Sequence, residues 1–373
     1  MPLRVLTLVG TRPEIIKLSC VIKELDRTVS HLLVHTGQNY DYELNQIFFE
    51  GLDLRAPDYF LEASGGTTAE TISNVIARSD AVFEREMPDA LLLLGDTNSC
   101  LAAIAAKRRK IPIFHMEAGN RCFDDRVPEE INRRIVDHIS DINLPYTEHA
   151  RRYLLAEGIR AETVIKTGSP MKQVLASQRS AIDASQVIPT LGLAQGEYFV
   201  VSAHREENVD DSARFGDLLD ALAAVRQRYK LPIVVSTHPR TLKRLESTGR
   251  SVEGVRFVKP LGFADYVRLQ MGAFCVLSDS GTLSEESSIL GFPAVMLRET
   301  HERPEIMEQG ALIMSGTTSD RVIDAINTTT ERRVDASRRA RMASDYDVDD
   351  VAERIVNIVL SYTDYVNRTV WHK

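Results

Sequence analysis

The chain alternates short, almost purely apolar runs with longer amphipathic stretches, in two successive series. The first series predicts six buried strands at Val5–Val9, Leu32–His35, Ala90–Leu94, Ile111–His115, Ile142–Leu144 and Thr163–Lys166. The second predicts six more at Tyr198–Ser202, Pro232–Ser236, Gly254–Val258, Phe274–Leu277, Pro293–Leu297 and Ala311–Met314. Apolar strands separated by helical patterns are typical of parallel sheets that helices cover on both faces. The sequence therefore predicts an α/β protein with two doubly wound domains.

A polar stretch around residues 177–197, which contains proline and glycine, separates the two series. We expect one Rossmann-like domain of residues 1–176 and a second of residues 177–350. A terminal helix at about residues 351–373 is expected to pack back on the first domain. In open α/β sheets, ligands bind outside the carboxyl ends of the strands. We therefore expect the two domains to face a central cleft that holds the functional site.

The segment GTRPE, which starts at Gly10, joins the first strand to a helix. Thr11 and Glu14 fit a capping box, so the helix is expected to begin here. The free N–H groups of a helix N-terminus bind anions, and Arg12 adds a bidentate phosphate donor. Lys17 adds a point charge further along the helix. A capped helix with two solvated cations is the alternative that this motif leaves open.

Carboxylates follow two strands of the first series. Asp96 leaves the strand of four leucines, and Glu117 directly follows the next strand. Such positions suit a general base, although Asp96 could equally cap the following helix. Glu129 begins a helix soon afterwards, close to several arginines, and carboxylates near arginines can titrate apart, as acid–base catalysis requires. A surface ion-pair network is the alternative.

The helix that starts near residue 128 has an expected inward face of Ile131, Ile135 and Ile139, which are four residues apart. Glu129 and Arg133 are also four apart, so they are expected to share the opposite face, where they can pair.

Polar residues follow the strands of the second series as well. His204 and Arg205 follow its first strand and mirror the position of GTRPE, while His238 follows its next strand. A histidine at a strand end is more often structural than catalytic, which is the alternative here.

The segment SDSGTLSEE follows a later strand and opens a helix, where Thr282 and Glu285 fit a second capping box. The N–H groups of this turn suit a pyrophosphate. Glu286, one turn into the helix, is positioned to accept hydrogen bonds from ribose hydroxyls. The next strand is followed by Arg298 and Arg303, which add positive charge.

Composition excludes several classes of protein. The net charge of −8 and the absence of a basic tail argue against a nucleic-acid partner. Four scattered cysteines without a metal-binding spacing predict reduced thiols and no metal site. Since no run approaches the roughly 20 apolar residues of a membrane span and the start does not read as a signal peptide, we expect a cytoplasmic protein without a membrane partner. Neither a G-x-G-x-x-G nor a G-x-x-x-x-G-K-[ST] motif is present.

Seven segments, in order along nearly the whole chain, together resemble the non-hydrolysing UDP-N-acetylglucosamine 2-epimerases: GTRPE, GDTNS, HMEAGNR, PEEINRR, SAHREEN, SDSGTLSEE and HERPE. The resemblance implies a fold of the glycosyltransferase-B type, with residues 177–350 as the UDP-binding domain. It implies inversion at C2 of a UDP-N-acetylhexosamine, with a UDP-sugar as substrate, no cofactor and no metal. It also implies a homodimer.

By position, the resemblance implies that Asp96, Glu117 and Glu129 are the acid–base carboxylates. It implies that Lys17 and His204 act near the departing UDP. The other residues expected to contact the substrate are Arg12, Arg133, Arg205, His238, Ser280, Gly281, Thr282, Glu286 and Arg303.

Several variants of these segments are most similar to one branch of the family, which makes UDP-N-acetyl-L-fucosamine from UDP-2-acetamido-2,6-dideoxy-L-talose for bacterial surface polysaccharides. A UDP-GlcNAc/UDP-ManNAc 2-epimerase is the alternative. Residues 37–42 read GQNYDY where UDP-GlcNAc epimerases tend to have Gln-His-Arg, which argues against an allosteric second UDP-GlcNAc site. A glycosyltransferase of the same fold, a hydrolysing epimerase and a non-catalytic sugar-nucleotide sensor are the more distant alternatives.

Overall fold

The structure is a computed structural model that describes residues 2–37, 42–203, 205, 208, 211–237, 241, 244–245, 252–334 and 342–373. It divides into two compact units, Met1–Ser177 with Ser344–Lys373, and Gln178–Ala343. Each unit contains its own parallel sheet. The α/β class expected from the sequence is therefore confirmed.

In the described part of the first unit, the sheet has six strands: β1 (Arg4–Val9), β2 (Ser30–His35), β3 (Tyr59–Phe60), β4 (Ala90–Leu94), β5 (Ile113–Met116) and β6 (Ile142–Leu144). Their order is β3-β2-β1-β4-β5-β6, and all neighbours are parallel. The expected strand at Thr163–Lys166 is wrong, because this segment makes a single bridge between Asn143 and Val164. The two-residue strand β3 was too short to give a hydrophobic pattern.

The sheet of the second unit, over its described residues, also has six strands: β7 (Phe199–Ser202), β8 (Ile233–Ser236), β9 (Val255–Val258), β10 (Cys275–Ser278), β11 (Ala294–Met296) and β12 (Ile313–Met314). Their order is β9-β8-β7-β10-β11-β12, which repeats the order of the first sheet. Both are the Rossmann order, in which chain direction across the sheet reverses between the first and fourth strands. Each sheet therefore has a switch point, at β1/β4 and at β7/β10.

Helices connect the strands of both sheets. Those of the first unit are α1 (Arg12–Thr28), α2 (Tyr42–Gly51), α3 (Thr68–Glu86), α4 (Ala103–Arg108), α5 (Pro128–Ile139), α6 (Glu148–Ala156) and α7 (Met171–Ser177). Those of the second are α8 (Arg179–Ala184), α9 (Val187–Thr190), α10 (Ser212–Tyr229), α11 (Phe263–Gly272), α12 (Thr282–Leu290), α13 (Pro304–Gln309) and α14 (Ser319–Val334). The last helix, α15 (Val351–Thr369), returns to the first unit and contacts α1.

The apolar strands supply the centre of each core. In the first unit, buried leucines of β1 and β4 pack with residues of α3 such as Val75 and Phe83. In the second, Phe199 and Val201 of β7 pack with Leu218 and Leu222 of α10. Burying such side chains contributes roughly 1.5–3 kcal/mol each, so the two cores account for the two-unit architecture.

The segment 344–350, which the sequence placed in the second domain, groups with the first unit. Its aspartates explain why. Lys166 Nζ lies 2.7 Å from Asp345 Oδ1, and Lys172 Nζ lies 2.6 Å from Asp347 Oδ1. The chain therefore re-enters the first unit several residues before α15 begins.

The expected inward face of α5 is wrong at two of its three positions, since Ile139 alone packs against the core. Ile131 is 50% exposed and Ile135 is 38% exposed, whereas Val136 is buried and so are the polar side chains of Arg133 and Asp137. The helix turns its polar face inward because that face meets buried charges at the carboxyl edge of the first sheet. Hydrophobic spacing alone does not reveal such an exception.

The carboxylate of Glu14 joins two turns at the switch point of the first sheet. Its Oε2 accepts hydrogen bonds from the backbone N–H groups of Gly10 and Thr11, and its Oε1 accepts one from the Thr97 hydroxyl. Glu14 therefore caps α1, as the capping box predicts, and also ties the turn after β1 to the turn after β4. Burial raises the pKa of Glu14 from 4.5 to about 7, although these hydrogen bonds act in the opposite direction.

We predict that Glu14→Gln changes how thermal stability depends on pH. A carboxyl group whose pKa is higher in the folded state stabilises the fold below the unfolded pKa and loses this contribution as pH rises through the folded pKa. The Glu14 contribution should therefore fall between pH 4.5 and about 7. Since one pKa unit corresponds to about 1.4 kcal/mol, the loss amounts to a few kcal/mol.

The measurement is the Tm of the wild type and the variant from pH 4.5 to 8. The wild type should lose Tm relative to Glu14→Gln across this interval, and parallel curves would contradict the prediction. Glu84→Gln, at an exposed position of α3, is the matched control.

Candidate functional site

The functional candidates of the first unit lie at the carboxyl ends of neighbouring strands. Leu94 of β4 pairs with Met116 of β5. Asp96 follows two residues after Leu94, and Glu117 follows directly after Met116. The turn that begins at Gly10 follows β1 on the other side of β4. These turns therefore meet at the switch point of the sheet, where ligands bind in this fold.

Glu117 makes a close ion pair with Lys17. The two atoms Lys17 Nζ and Glu117 Oε2 are 2.7 Å apart, and the lysine side chain is 4% exposed. The ammonium also lies 5.6 Å from the centre of the Tyr146 ring. A lysine so deep in the protein requires a paired charge, and Glu117 supplies it.

Asp96 is paired with the second buried cation of this edge. Arg133 Nε donates a hydrogen bond to Asp96 Oδ2 at 2.7 Å, and Arg133 Nη1 donates one to Glu130 Oε2 at 2.7 Å. Arg133, expected to contact the substrate, therefore positions a carboxylate in this structure. We call Lys17, Asp96, Glu117 and Arg133 the carboxylate cluster.

The backbone of Glu117 has a left-handed conformation, with φ of 63°. For a residue with a side chain this costs about 1–2 kcal/mol, and such strain is concentrated at functional sites. Two residues later, Gly119 has φ of 81°, and a Cβ there would lie 2.4 Å from the carbonyl oxygen of Ala150. The turn therefore requires glycine at 119, and it directs the Glu117 side chain towards Lys17.

Four charged side chains form a chain behind this turn, which runs from the fully buried His115 to the partly exposed Glu157. His115 Nδ1 lies 2.9 Å from Asp137 Oδ1, and Arg121 Nη1 donates a hydrogen bond to Asp137 Oδ2 at 2.7 Å. Arg121 also makes two hydrogen bonds to Glu157. We call His115, Asp137, Arg121 and Glu157 the buried charge chain. The sequence analysis did not assign a role to these residues, although a histidine inside an apolar strand was a signal for one.

Two further candidates of the first unit lie at helix starts. Arg12 is the first residue of α1, and its guanidinium lies 5.6 Å from the centre of the Phe48 ring, half-buried. Glu129 lies in the first turn of α5 and is also half-buried. Both side chains are thus partly accessible at the edge that carries the carboxylate cluster.

In the second unit, Asp279 anchors the turn after β7. It follows β10, is fully buried, and accepts hydrogen bonds from the backbone N–H of Arg205 at 3.0 Å and from Asn208 Nδ2 at 3.1 Å. The turns after β7 and β10 therefore meet at the switch point of the second sheet. His204 and His238 lie outside the described residues.

The turn after β10 leads into α12. The N–H of Ser280 donates to the Ser278 hydroxyl, and the hydroxyls of Ser280 and Thr282 are 3.0 Å apart. The second capping box is wrong, because α12 begins at Thr282 with Gly281 as its N-cap. Glu285 is instead buried, and its Oε2 lies 3.5 Å from Arg303 Nη2.

Two buried glutamates border this turn. Glu286 of α12 accepts a hydrogen bond from Gln270 Nε2 at 2.8 Å. Glu302 accepts hydrogen bonds from Arg205 Nη2 at 3.3 Å and from Arg298 Nη1 at 2.9 Å. A Cβ at Gly281 would lie 3.0 Å from Glu302 Oε1, so a side chain there would press on this carboxylate.

The second unit thus gathers its own group of candidates at one strand edge. We call this group the anion-binding cluster, and its members are Arg205, Ser280, Gly281, Thr282, Glu286 and Arg303. Its cationic side chains and the N-terminus of α12 suit an anion. Among the described residues, three or more His, Cys, Asp or Glu side chains do not come together in a metal-binding arrangement. The described helices are also too short or too polar to cross a membrane.

Comparison with known proteins identifies the family. Residues 23–360 match the family described as UDP-N-acetylglucosamine 2-epimerase. A UDP-N-acetylglucosamine 2-epimerase from Methanocaldococcus jannaschii is 33% identical over 96% of this chain and 99% of the relative. A UDP-2,3-diacetamido-2,3-dideoxy-D-glucuronate 2-epimerase from Pseudomonas aeruginosa is 36% identical over 87% of this chain and 92% of the relative.

Solved structures agree. The UDP-N-acetylglucosamine 2-epimerase from Rickettsia bellii is 53% identical, with a TM-score of 0.92 and 100% of each chain covered. The M. jannaschii enzyme in complex with UDP-GlcNAc and UDP is 32% identical, with a TM-score of 0.90, 96% of this chain and 100% of that chain covered. The chain belongs to the UDP-N-acetylglucosamine 2-epimerase family, whose members are isomerases.

Proposed function

We propose that the protein inverts the configuration at C2 of a UDP-linked 2-acetamido sugar by removing UDP and adding it back. The observation that carries the proposal is the carboxylate cluster, in which two carboxylates from neighbouring strands are each paired with a buried cation. Family membership supports the same reaction. The proposal rests on this geometry together with the chemistry of the sugar.

The chemistry of C2 demands more than a base. The C2 proton of such a sugar is not acidic, because no carbonyl group is adjacent. Cleavage of the C1–O bond expels UDP and builds positive charge at C1, which makes the C2 proton acidic. Its removal leaves a 2-acetamidoglycal, and protonation of C2 from the opposite face followed by return of UDP completes the inversion.

The carboxylate cluster fits these steps. Inversion needs a base on one face of C2 and an acid on the other, and Asp96, Glu117 and Glu129 are the candidates. The cation at C1 is stabilised by nearby carboxylates. Lys17 is assigned to the departing phosphate. If its ammonium moved from Glu117 to the phosphate as UDP leaves, the Glu117 carboxylate would become free to act as a base. His204 is assigned to the same leaving group.

The anion-binding cluster is assigned to the nucleotide. The N-terminus of α12 offers backbone N–H groups to the diphosphate, with Arg205 and Arg303 as cationic partners. Glu286 uses one carboxylate oxygen for Gln270, and we assign its remaining acceptor capacity to the ribose hydroxyls. Arg12, Arg133 and His238 complete the proposed substrate contacts.

The reaction predicts incorporation of solvent deuterium. In D₂O, with each of the two UDP-sugars named below and no acceptor, deuterium should enter C2 of the accepted sugar and of its epimer, because a proton is removed and replaced there. Proton NMR at C1 and C2 measures it. Stoichiometric release of UDP with free sugar would instead indicate a hydrolysing epimerase, and transfer of the sugar to an added acceptor without exchange at C2 would indicate a glycosyltransferase. An absence of any turnover on either substrate named below would refute the proposal.

For the sugar itself, we propose UDP-2-acetamido-2,6-dideoxy-L-talose, which the first-unit segments favour by their resemblance to the L-fucosamine branch. UDP-GlcNAc is the alternative, and the P. aeruginosa relative shows that related chains are named for different sugars. The same NMR assay with each compound separates the two, since the true substrate should give the higher kcat/KM.

Removal of the proposed acid–base groups should abolish most of the activity. We expect Asp96→Asn, Glu117→Gln and Glu129→Gln each to lower turnover roughly 10²–10⁴-fold, the usual contribution of an acid–base group. Asp125→Asn, which changes an exposed carboxylate in the loop before α5, is the matched control and should retain near-normal turnover. Near-normal rates in all three test variants would overturn the assignment.

The nucleotide assignment predicts a binding defect. Glu286→Ala should raise the Kd for UDP about tenfold or more, because a hydrogen bond to a charged group contributes about 1.5–3 kcal/mol. Titration calorimetry with UDP measures it. Glu308→Ala, at an exposed position just before the end of α13, is the control. A Kd equal to that of the wild type would remove Glu286 from the ribose site.

A further inference from the structure

The buried charge chain contains a histidine whose two ring nitrogens both face acceptors. His115 Nε2 lies 2.7 Å from the carbonyl oxygen of Gly95, which can only accept a hydrogen bond. His115 Nδ1 lies 2.9 Å from Asp137 Oδ1. Asp137 also accepts hydrogen bonds from the N–H of Gly119 and from Arg121, so it is ionised and acts as an acceptor. Both ring nitrogens must therefore donate, and the ring is an imidazolium.

The negative charge of Asp137 supports this protonation state. Asp137 and His115 are both fully buried and lie 2.9 Å apart, and a buried charge is tolerated when an opposite charge is paired with it in this way. Arg121 shares Asp137 with the ring and is also paired with Glu157, whose side chain is 29% exposed and lies 3.2 Å from His138 Nε2.

This chain connects to both carboxylates of the carboxylate cluster. The carbonyl group that His115 binds belongs to Gly95, the residue directly before Asp96. The N–H group that Asp137 binds belongs to Gly119, two residues after Glu117, in the same left-handed turn. One imidazolium and one carboxylate thus join the two turns on which the proposed chemistry depends.

We propose that the His115 imidazolium is a positioning residue, which holds Asp96 and Glu117 at their working separation by joining their turns through Asp137. This inference rests on the proposed function, because it concerns the same reaction. His115 does not touch the substrate in this proposal. Its effect passes through the backbone of Gly95 and through the Asp137–Gly119 hydrogen bonds.

The proposal gives the reaction a pH dependence of defined sign. Burial by itself lowers the pKa of His115, but the hydrogen bond and charge of Asp137, with smaller contributions from Gly95 and Asp96, raise it above the usual 6.5. As pH rises through this pKa, the ring loses one of its two N–H groups, and either Gly95 or Asp137 loses its donor. Turnover should therefore fall at alkaline pH. Arg121, Glu157 and His138 are the other charged or titratable groups on this network.

The first test reads the ring directly in the wild-type protein without substrate. Ring ¹⁵N and ¹³Cε1 chemical shifts of labelled histidine, with the His115 ring assigned through its own backbone resonances in the wild-type protein, report its protonation across pH 6–10. We expect the imidazolium at pH 7. A neutral ring at pH 7 would overturn the proposal, whatever the activity of any variant.

The second test measures the C2 deuterium exchange rate against pH. His115→Gln should lower turnover about 10–100-fold, since a displacement of about 1 Å costs that much, and should abolish the alkaline fall. His31→Gln is the matched control, because His31 is a buried histidine paired with Asp26 Oδ1 at 2.6 Å on the same sheet. It should reduce stability and leave the pH profile unchanged. An alkaline limb in His115→Gln identical to that of the wild type would refute the positioning role.

Failure of the proposed function and failure of the positioning role of His115 would give different experimental results. Wild-type protein that shows no C2 exchange at any pH would refute the proposed function, while the ring shifts would still report the charge of His115. Wild-type exchange with an unchanged limb in His115→Gln would refute only the inference. If circular dichroism shows that His115→Gln does not fold, the wild-type protein alone still tests the inference. The pH midpoint of the alkaline fall in its exchange rate must then equal the pH midpoint of the His115 ring titration, and different midpoints would refute the positioning role.

Discussion

A charge removed from water must be met by an opposite charge or by hydrogen bonds, and this requirement organises the carboxyl edge of the first sheet. Lys17 is met by Glu117, Arg133 by Asp96 and Glu130, and His115 by Asp137. Removing one partner of such a pair typically costs about 3–5 kcal/mol, because the other is left buried and uncompensated. These side chains therefore hold one another in place, which is what a site for proton transfer needs.

The same requirement explains local features that would otherwise look unfavourable. α5 presents polar side chains to the protein interior because these side chains form hydrogen bonds and ion pairs with buried groups there. Glu117 keeps a left-handed backbone because Asp137 fixes the N–H of Gly119 and the Lys17 ion pair fixes the side chain. The strain of one residue is offset by several hydrogen bonds around it, which hold the turn in this conformation.

Much of the fold was readable from the sequence, and so were the positions of the candidates on it. Eleven of the twelve expected strands are present in the described residues, because apolar runs of four to six residues between helical patterns leave few alternatives. The short β3 and the segment at Thr163–Lys166 were misjudged, since two residues show no period and four residues show too little of one. Asp96 and Glu117 were found because polar residues that end apolar strands must lie at one edge of a parallel sheet. His115 and Asp137 were not found, and Glu14 was found only as a cap and not as a link to Thr97, because these partners are distant in sequence.

The sequence by itself determined the two series of strands, their parallel arrangement and the strand ends at which the charged residues collect, because each follows from local periodicity. It also determined the family, through the ordered motifs. Only the tertiary structure decided which charges pair, that α5 turns Arg133 inward, and that one buried histidine joins the turns of Asp96 and Glu117. Pairing energies depend on distances across the fold and on exclusion of water, and neither quantity is present in the order of residues along a chain.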